Sequence, residues 1–216
     1  MTNEQKFFLE NVKVIMSPQE KQGYITHITD KFEKLNVKYE KLYEPFHLRQ
    51  GDYSMVILGK DYRNEWLAER KFGISELDKC LTDTDIETKS KMELGLQDIR
   101  DNLEWEFVRM NQIGVKEKWL FIENVKSFED IRDYVSGYEL KNQTAGQRVY
   151  ATLNSWQCNN RYGFKIQCLP VKEDFANILL VKMFYYWRND MKLLYGKNFL
   201  TYVKKIVKGD INNGNK

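Results

Sequence analysis

The chain is poor in the residues that announce a metal or disulfide scaffold: of 216 residues only two are histidine, three cysteine and three proline. Cys80, Cys158 and Cys168 are odd in number and lack Cys-x-x-Cys spacing, which argues against a disulfide framework and a zinc knuckle and reads as reduced, buried thiols. His27 and His47 cannot make a histidine-rich metal site and have no partner visible in sequence. No apolar run approaches the ~18 to 20 residues needed to cross a bilayer, and Met1-Thr2-Asn3-Glu4-Gln5-Lys6 is not the start of a signal peptide, so a cytoplasmic protein with no membrane partner is expected. A net charge of +3 is too small to identify a nucleic-acid binder. There is no internal repeat and no low-complexity tract.

What is present is an ordinary globular composition, 30% charged and 42% apolar. The length suits one α/β domain, here residues 1–204, with a frayed tail over 205–216. Val12 to Met16 predicts a strand opening onto Ser17-Pro18, and Gln22 to Leu35 an amphipathic helix through Ile25, Ile28, Phe32 and Leu35. Val37 to Leu42 predicts a second strand. Ser54 to Leu58 and Trp66 to Lys71 predict a hairpin joined by the polar loop from Gly59 to Asn64. Ser75 is placed to cap a short helix through Leu77 and Leu81, and Met92, Leu96, Ile99, Leu103, Phe107 and Met110 predict a helix over Ile86 to Met110. Lys118 to Glu123 reads as a central strand, Ser127 to Val135 and Thr144 to Asn160 as helices, and Gly163 to Leu169 as the last strand. Asp174 to Leu194 is a helix apolar nearly all round, which suits either a core helix or a homodimer surface.

One local pattern carries chemistry. On a strand, Glu69 and Lys71 share a face and Arg70 points to the other. If the hairpin forms, Asp52 returns to the same spot, and two carboxylates able to hold a hard divalent cation stand beside an ammonium. Taken singly, Gly51-Asp52 is a common turn pair and Glu-x-Lys a common surface ion pair. Together, at the ends of neighbouring strands with a capped helix following, they outline a metal-dependent phosphodiesterase site.

These residues resemble the XPF-type nuclease domain of the restriction-endonuclease-like PD-(D/E)XK superfamily, whose signature is Gly-Asp, a variable hairpin and Glu-Arg-Lys-x-x-x-Asp. The matching pieces are Gly51-Asp52-Tyr53, led into by His47-Leu48-Arg49-Gln50, and Glu69-Arg70-Lys71. Trp119 to Glu123 resembles the family's hydrophobic strand ending in glutamate, and Phe164 to Gln167 with the helix after Asp174 its closing strand and helix. The resemblance implies a central mixed sheet flanked by helices. It implies Mg²⁺ or Mn²⁺ on Asp52 and Glu69, helped by the backbone carbonyl of Arg70 and, in an outer or second-metal position, by Glu20. Lys71 would orient or help deprotonate water, and Arg70's side chain either braces the sheet or serves catalysis. The implied activity is endonucleolytic cleavage of DNA, branched, flapped or junction-like, leaving a 5′-phosphate, in a standalone form of the kind phages and mobile elements encode. Family members also commonly pair.

Two positions depart from the pattern. Ser17-Pro18-Gln19-Glu20 stands where the family has Asp-x-Arg-Glu, and Ser75 where it has the last aspartate, with Glu76 adjoining. The alternative is therefore a weak or inactive pseudo-nuclease that binds DNA or protein. Arg148, Arg161 and Tyr162 are candidates for phosphate contact, against a plain solvated surface.

Overall fold

The protein is described by a computed structural model covering residues 1–42, 51–82, 102–135 and 145–208. It is a mixed α/β structure in which a central mixed sheet is flanked by helices on both faces. The strands are β1 (Val12–Met16), β2 (Lys38–Lys41), β3 (Tyr53–Ile57), β4 (Lys60–Asp61), β5 (Trp66–Lys71), β6 (Glu117–Glu123) and β7 (Phe164–Leu169), in the order β2-β1-β3-β5-β6-β7 with β4 paired to β3. β1 is parallel to β2 and antiparallel to β3, β3 is antiparallel to β5, and β5, β6 and β7 run parallel.

Alternation along the strands divides the core. Val12, Val14 and Met16, with Trp66 and Ala68, face a layer built from α1 (Asn3–Asn11), α2 (Gln22–Lys34), the long α6 (Phe175–Tyr195) and α7 (Phe199–Val207). Ile15, Leu67, Leu120 and Ile122 face α3 (Ile74–Thr82), α4 (Asn102–Gln112) and α5 (Ala145–Cys158). Residues 66 to 71 are buried throughout, because helices cover β5 on both sides. An even-numbered β5 side chain therefore enters one core and an odd-numbered one the other.

Several expectations change. β3 turns first into β4, pairing Val56 with Asp61 and Ile57 with Lys60, and meets β5 at Tyr53 opposite Ala68. The supposed two-strand hairpin is thus three strands. The expected helix over Ser127–Val135 is a single 3-10 turn, Glu129–Ile131, because the Ser127 hydroxyl accepts from the Asp130 N–H and Ile131 is its one buried side chain. The helix α1 was not expected, although Thr2 and Gln5 form a capping box. α7 runs to Val207, past the expected start of the tail. Of the helix expected over Ile86 to Met110, residues 86–101 lie outside the described residues, as do His47 and its neighbours. Cys158 is exposed, and Cys80 and Cys168 are only half-buried, where all three were expected to be buried.

The aromatic helix is largely core. Phe175, Leu179, Met183, Phe184 and Trp187 are buried against the sheet and α1, leaving Tyr185, Leu193 and Leu194 exposed. On the other face, Gly146 lets α5 sit against the 3-10 turn, since a Cβ there would lie 2.2 Å from the Ile131 carbonyl oxygen and 2.7 Å from that of Tyr134. Backbone cannot yield as a side chain can. Gly146→Ala is expected to lower stability by about 1–3 kcal/mol despite alanine's better helix propensity, as measured by urea unfolding.

Candidate active site

The site lies where β3 and β5 part. Gly51 has φ +71°, and a Cβ there would come within 3.2 Å of both the Ala68 oxygen and the Met110 side chain. That close approach allows the Asp52 N–H to donate to Ala68 O (2.8 Å), while Asp52 O accepts from Ser17 N–H (2.7 Å). The Asp52 backbone is held between β1 and β5. Its carboxylate Oδ2 then accepts from the Arg70 N–H at 2.8 Å. Because the N–H and C=O of one residue leave an extended strand on the same side, Arg70's peptide edge faces Asp52.

Glu69 and Lys71 share the face of β5 turned to α4, as alternation predicts, with Lys71 Nζ donating to Glu69 Oε1 at 2.6 Å. Both are buried, 3% and 8% exposed, but they line a cleft of about 540 Å³ together with Asp52, Glu20, Ser75 and Glu106. The cleft's remaining wall includes Lys21, Tyr24 and Lys79.

The electrostatics show one shared problem. Burial, then the neighbouring charge of Glu106, pushes Glu69 up to about 8 against the pull of Lys71. Asp52 is likewise held well above the ordinary carboxylate range by burial, then by Glu69 and Glu20. Burial alone would lower Lys71, but Glu69, Glu106 and Asp52 outweigh it and raise its pKa. Lys71 is therefore an ammonium at neutral pH, and the carboxyl groups around it hold fewer negative charges than their number suggests.

Glu106 is the residue that sequence reading missed. It projects from α4, hydrogen-bonds to Glu69, and has its own pKa raised by burial. Its charge pattern, Glu104-x-Glu106, looks in sequence like a solvated helix face, yet Glu104 is buried too and accepts from the Tyr162 hydroxyl.

Arg70 enters the opposite core. Its guanidinium makes two bonds to Glu20, Nε to Oε1 at 3.2 Å and Nη2 to Oε2 at 2.9 Å, and a third from Nη1 to Glu123 Oε2 at 3.0 Å. The side chain braces β5 against β6 and the loop after β1. Both Glu20 oxygens are thereby engaged by Arg70, so Glu20 acts on the cleft as a nearby charge. Glu76, adjoining Ser75, accepts from the Phe72 N–H at 2.7 Å and closes the first turn of α3. Among the described residues no group of three His, Cys, Asp or Glu side chains is gathered to hold a metal ion as it stands.

Arg148 pairs with Asp78 at 2.8 Å, tying α5 to α3, and Arg161 pairs with Glu104 at 3.0 Å. Tyr162 is buried. These side chains have structural partners.

Behind Arg70, His27 Nε2 lies 3.6 Å from Glu123 Oε1, and among the described residues neither atom has a hydrogen-bond partner. Burial raises Glu123 to about 7 from an ordinary 4.5, with Arg70 opposing. A carboxyl whose pKa is higher folded than unfolded favours the fold below the unfolded pKa, and that contribution disappears as pH rises through the folded value. Glutamine carries no such dependence. Glu123→Gln is therefore expected to gain on the parent protein by about 2.5 kcal/mol between pH 5 and pH 8, read from denaturant unfolding at each pH.

No protein-family model matches the chain, and a search of curated proteins finds no match. Among solved structures it is similar to XPF from Aeropyrum pernix, with TM-score 0.45 and 13% identity over 79% of this chain and 59% of that one. It is also similar to XPF from Aeropyrum pernix in complex with DNA, with TM-score 0.44 and 12% identity over 82% of this chain and 66% of that one.

Proposed function

We propose that this chain is a divalent-cation-dependent nuclease that hydrolyses phosphodiester bonds in DNA. The observation that carries the reading is the Lys71–Glu69 contact of 2.6 Å on one strand face, beside Asp52, inside a cleft large enough for a phosphodiester. The donors fit a hard cation, being carboxylate oxygens whose mutual charge burial leaves under-compensated. Asp52 and Glu69 would hold Mg²⁺ or Mn²⁺, with Arg70's peptide edge turned toward Asp52. Such an ion supplies Lewis-acid polarisation of the phosphate and a more acidic water.

The chain's own residues do the rest. Lys71, protonated at neutral pH, donates to the attacking water or to a phosphate oxygen and offsets the charge that builds there. An ammonium cannot accept a proton, so the base is a carboxylate of the cleft. Glu20 fixes Arg70, and Arg70 fixes the end of β5 on which Glu69 and Lys71 sit. Lys21 and Lys79 on the cleft wall suit an anionic substrate. The preference for branched, flapped or junction DNA comes from the resemblance to the XPF-type domain.

A second reading is a module that binds DNA or a partner protein without cutting. It is favoured by the ungathered carboxylates and by Ser75 where the family motif has an acid. Incubating labelled linear, flapped and four-way DNA with the protein and Mg²⁺ or Mn²⁺ separates the two. Cleavage lost in Glu69→Ala supports the nuclease, whereas binding without cleavage under every condition supports the module.

A further inference from the structure

The proposed site lacks an acid where Ser75 stands, yet the fold brings one from elsewhere. Glu106, on the face of α4 turned to β5, reaches the cleft and touches Glu69. Its Oε2 is shut off from solvent and, among the described residues, has no hydrogen-bond partner. An unanswered buried carboxylate oxygen costs stability unless a cation or donor meets it. Lys71, the buried ammonium on this face of β5, lies 2.6 Å from Glu69.

Resting on the nuclease reading, we infer that Glu106 is a further carboxylate ligand of the divalent-cation site, supplied by α4 in place of the acid that α3 does not provide. Glu76, the nearest acid to Ser75 in sequence, has its Oε2 held by the Phe72 N–H ahead of α3 and would have to give up that bond to offer both oxygens. Glu106 needs no such rearrangement. Its oxygen is already dehydrated beside Glu69, and a cation entering between them replaces a carboxyl–carboxyl contact with two ion–oxygen contacts.

The test is calorimetric titration of Mn²⁺ alone into the full chain, with no DNA and no turnover. Glu106→Gln keeps the shape and removes the charge, and is expected to weaken Mn²⁺ binding by about 10- to 100-fold, at least as much as loss of an outer-shell partner. Glu76→Gln removes a charge from the same cleft wall without touching the inferred ligand, and is expected to change affinity less than threefold. Glu106→Asp, which keeps the charge on a shorter stem, should fall between wild type and Glu106→Gln, and decides the matter should Glu106→Gln not fold. Wild-type binding with unchanged affinity in Glu106→Gln and Glu106→Asp overturns the inference and leaves the nuclease reading standing. Equal losses in Glu106→Gln and Glu76→Gln also overturn it, since charge alone would then explain both. No Mn²⁺ binding by the wild type removes the nuclease reading itself, and this inference with it.

Discussion

Lys71→Ala is expected to slow DNA cleavage by about 10²- to 10⁴-fold while Mn²⁺ binding is kept or strengthened. The split follows from the side chain's position. Lys71 Nζ contacts Glu69 Oε1 at 2.6 Å and so would compete with a cation for that carboxylate, while under the proposed function it is also the donor to water or phosphate. Removing it frees the ligand and deletes the donor. Loss of cation binding and of cleavage together, measured by calorimetry and single-turnover kinetics, would instead make Lys71 part of the scaffold.

Arg70→Ala is expected to destabilise the protein by about 3–5 kcal/mol, because it strands Glu20 and Glu123, 8% and 0% exposed, without their shared partner. Glu123 can escape by taking a proton, since burial already brings it to about 7. The loss should therefore be smaller at pH 5 than at pH 8. Arg70→Lys recovers part of it, as a point charge cannot serve the two Glu20 oxygens and Glu123 at once. Denaturant unfolding at the two pH values reads both effects. A cost below about 1 kcal/mol would mean that water replaces the guanidinium.

The strands that carry the site were legible because each is short and sharply bounded. β1 and β5 have the ends read from sequence, and β6 extends one residue earlier, at Glu117. The separation of Glu69 and Lys71 from Arg70 followed from strand alternation alone. Glu106 did not, since its approach to Glu69 depends on how α4 packs against β5, and nothing local to Glu104-x-Glu106 distinguishes a cleft wall from a solvated face. Glu20 was readable as an acid near the site but not as Arg70's partner, because the loop after β1 fixes its direction. α1 was overlooked although Thr2 and Gln5 carry the capping signal. The Ser127 to Val135 segment reads as a helix in sequence, but the Ser127 hydroxyl takes a local backbone bond there.

The central claim is that Asp52 and Glu69 grip one divalent ion. Anomalous diffraction from crystals soaked in Mn²⁺ tests it directly. A single strong peak between the Asp52 and Glu69 carboxylates, at the roughly 2.0–2.6 Å expected for oxygen ligands of a hard cation, is the predicted result. A cleft with no anomalous signal at saturating Mn²⁺, or a peak bound only by residues outside it, would contradict the account.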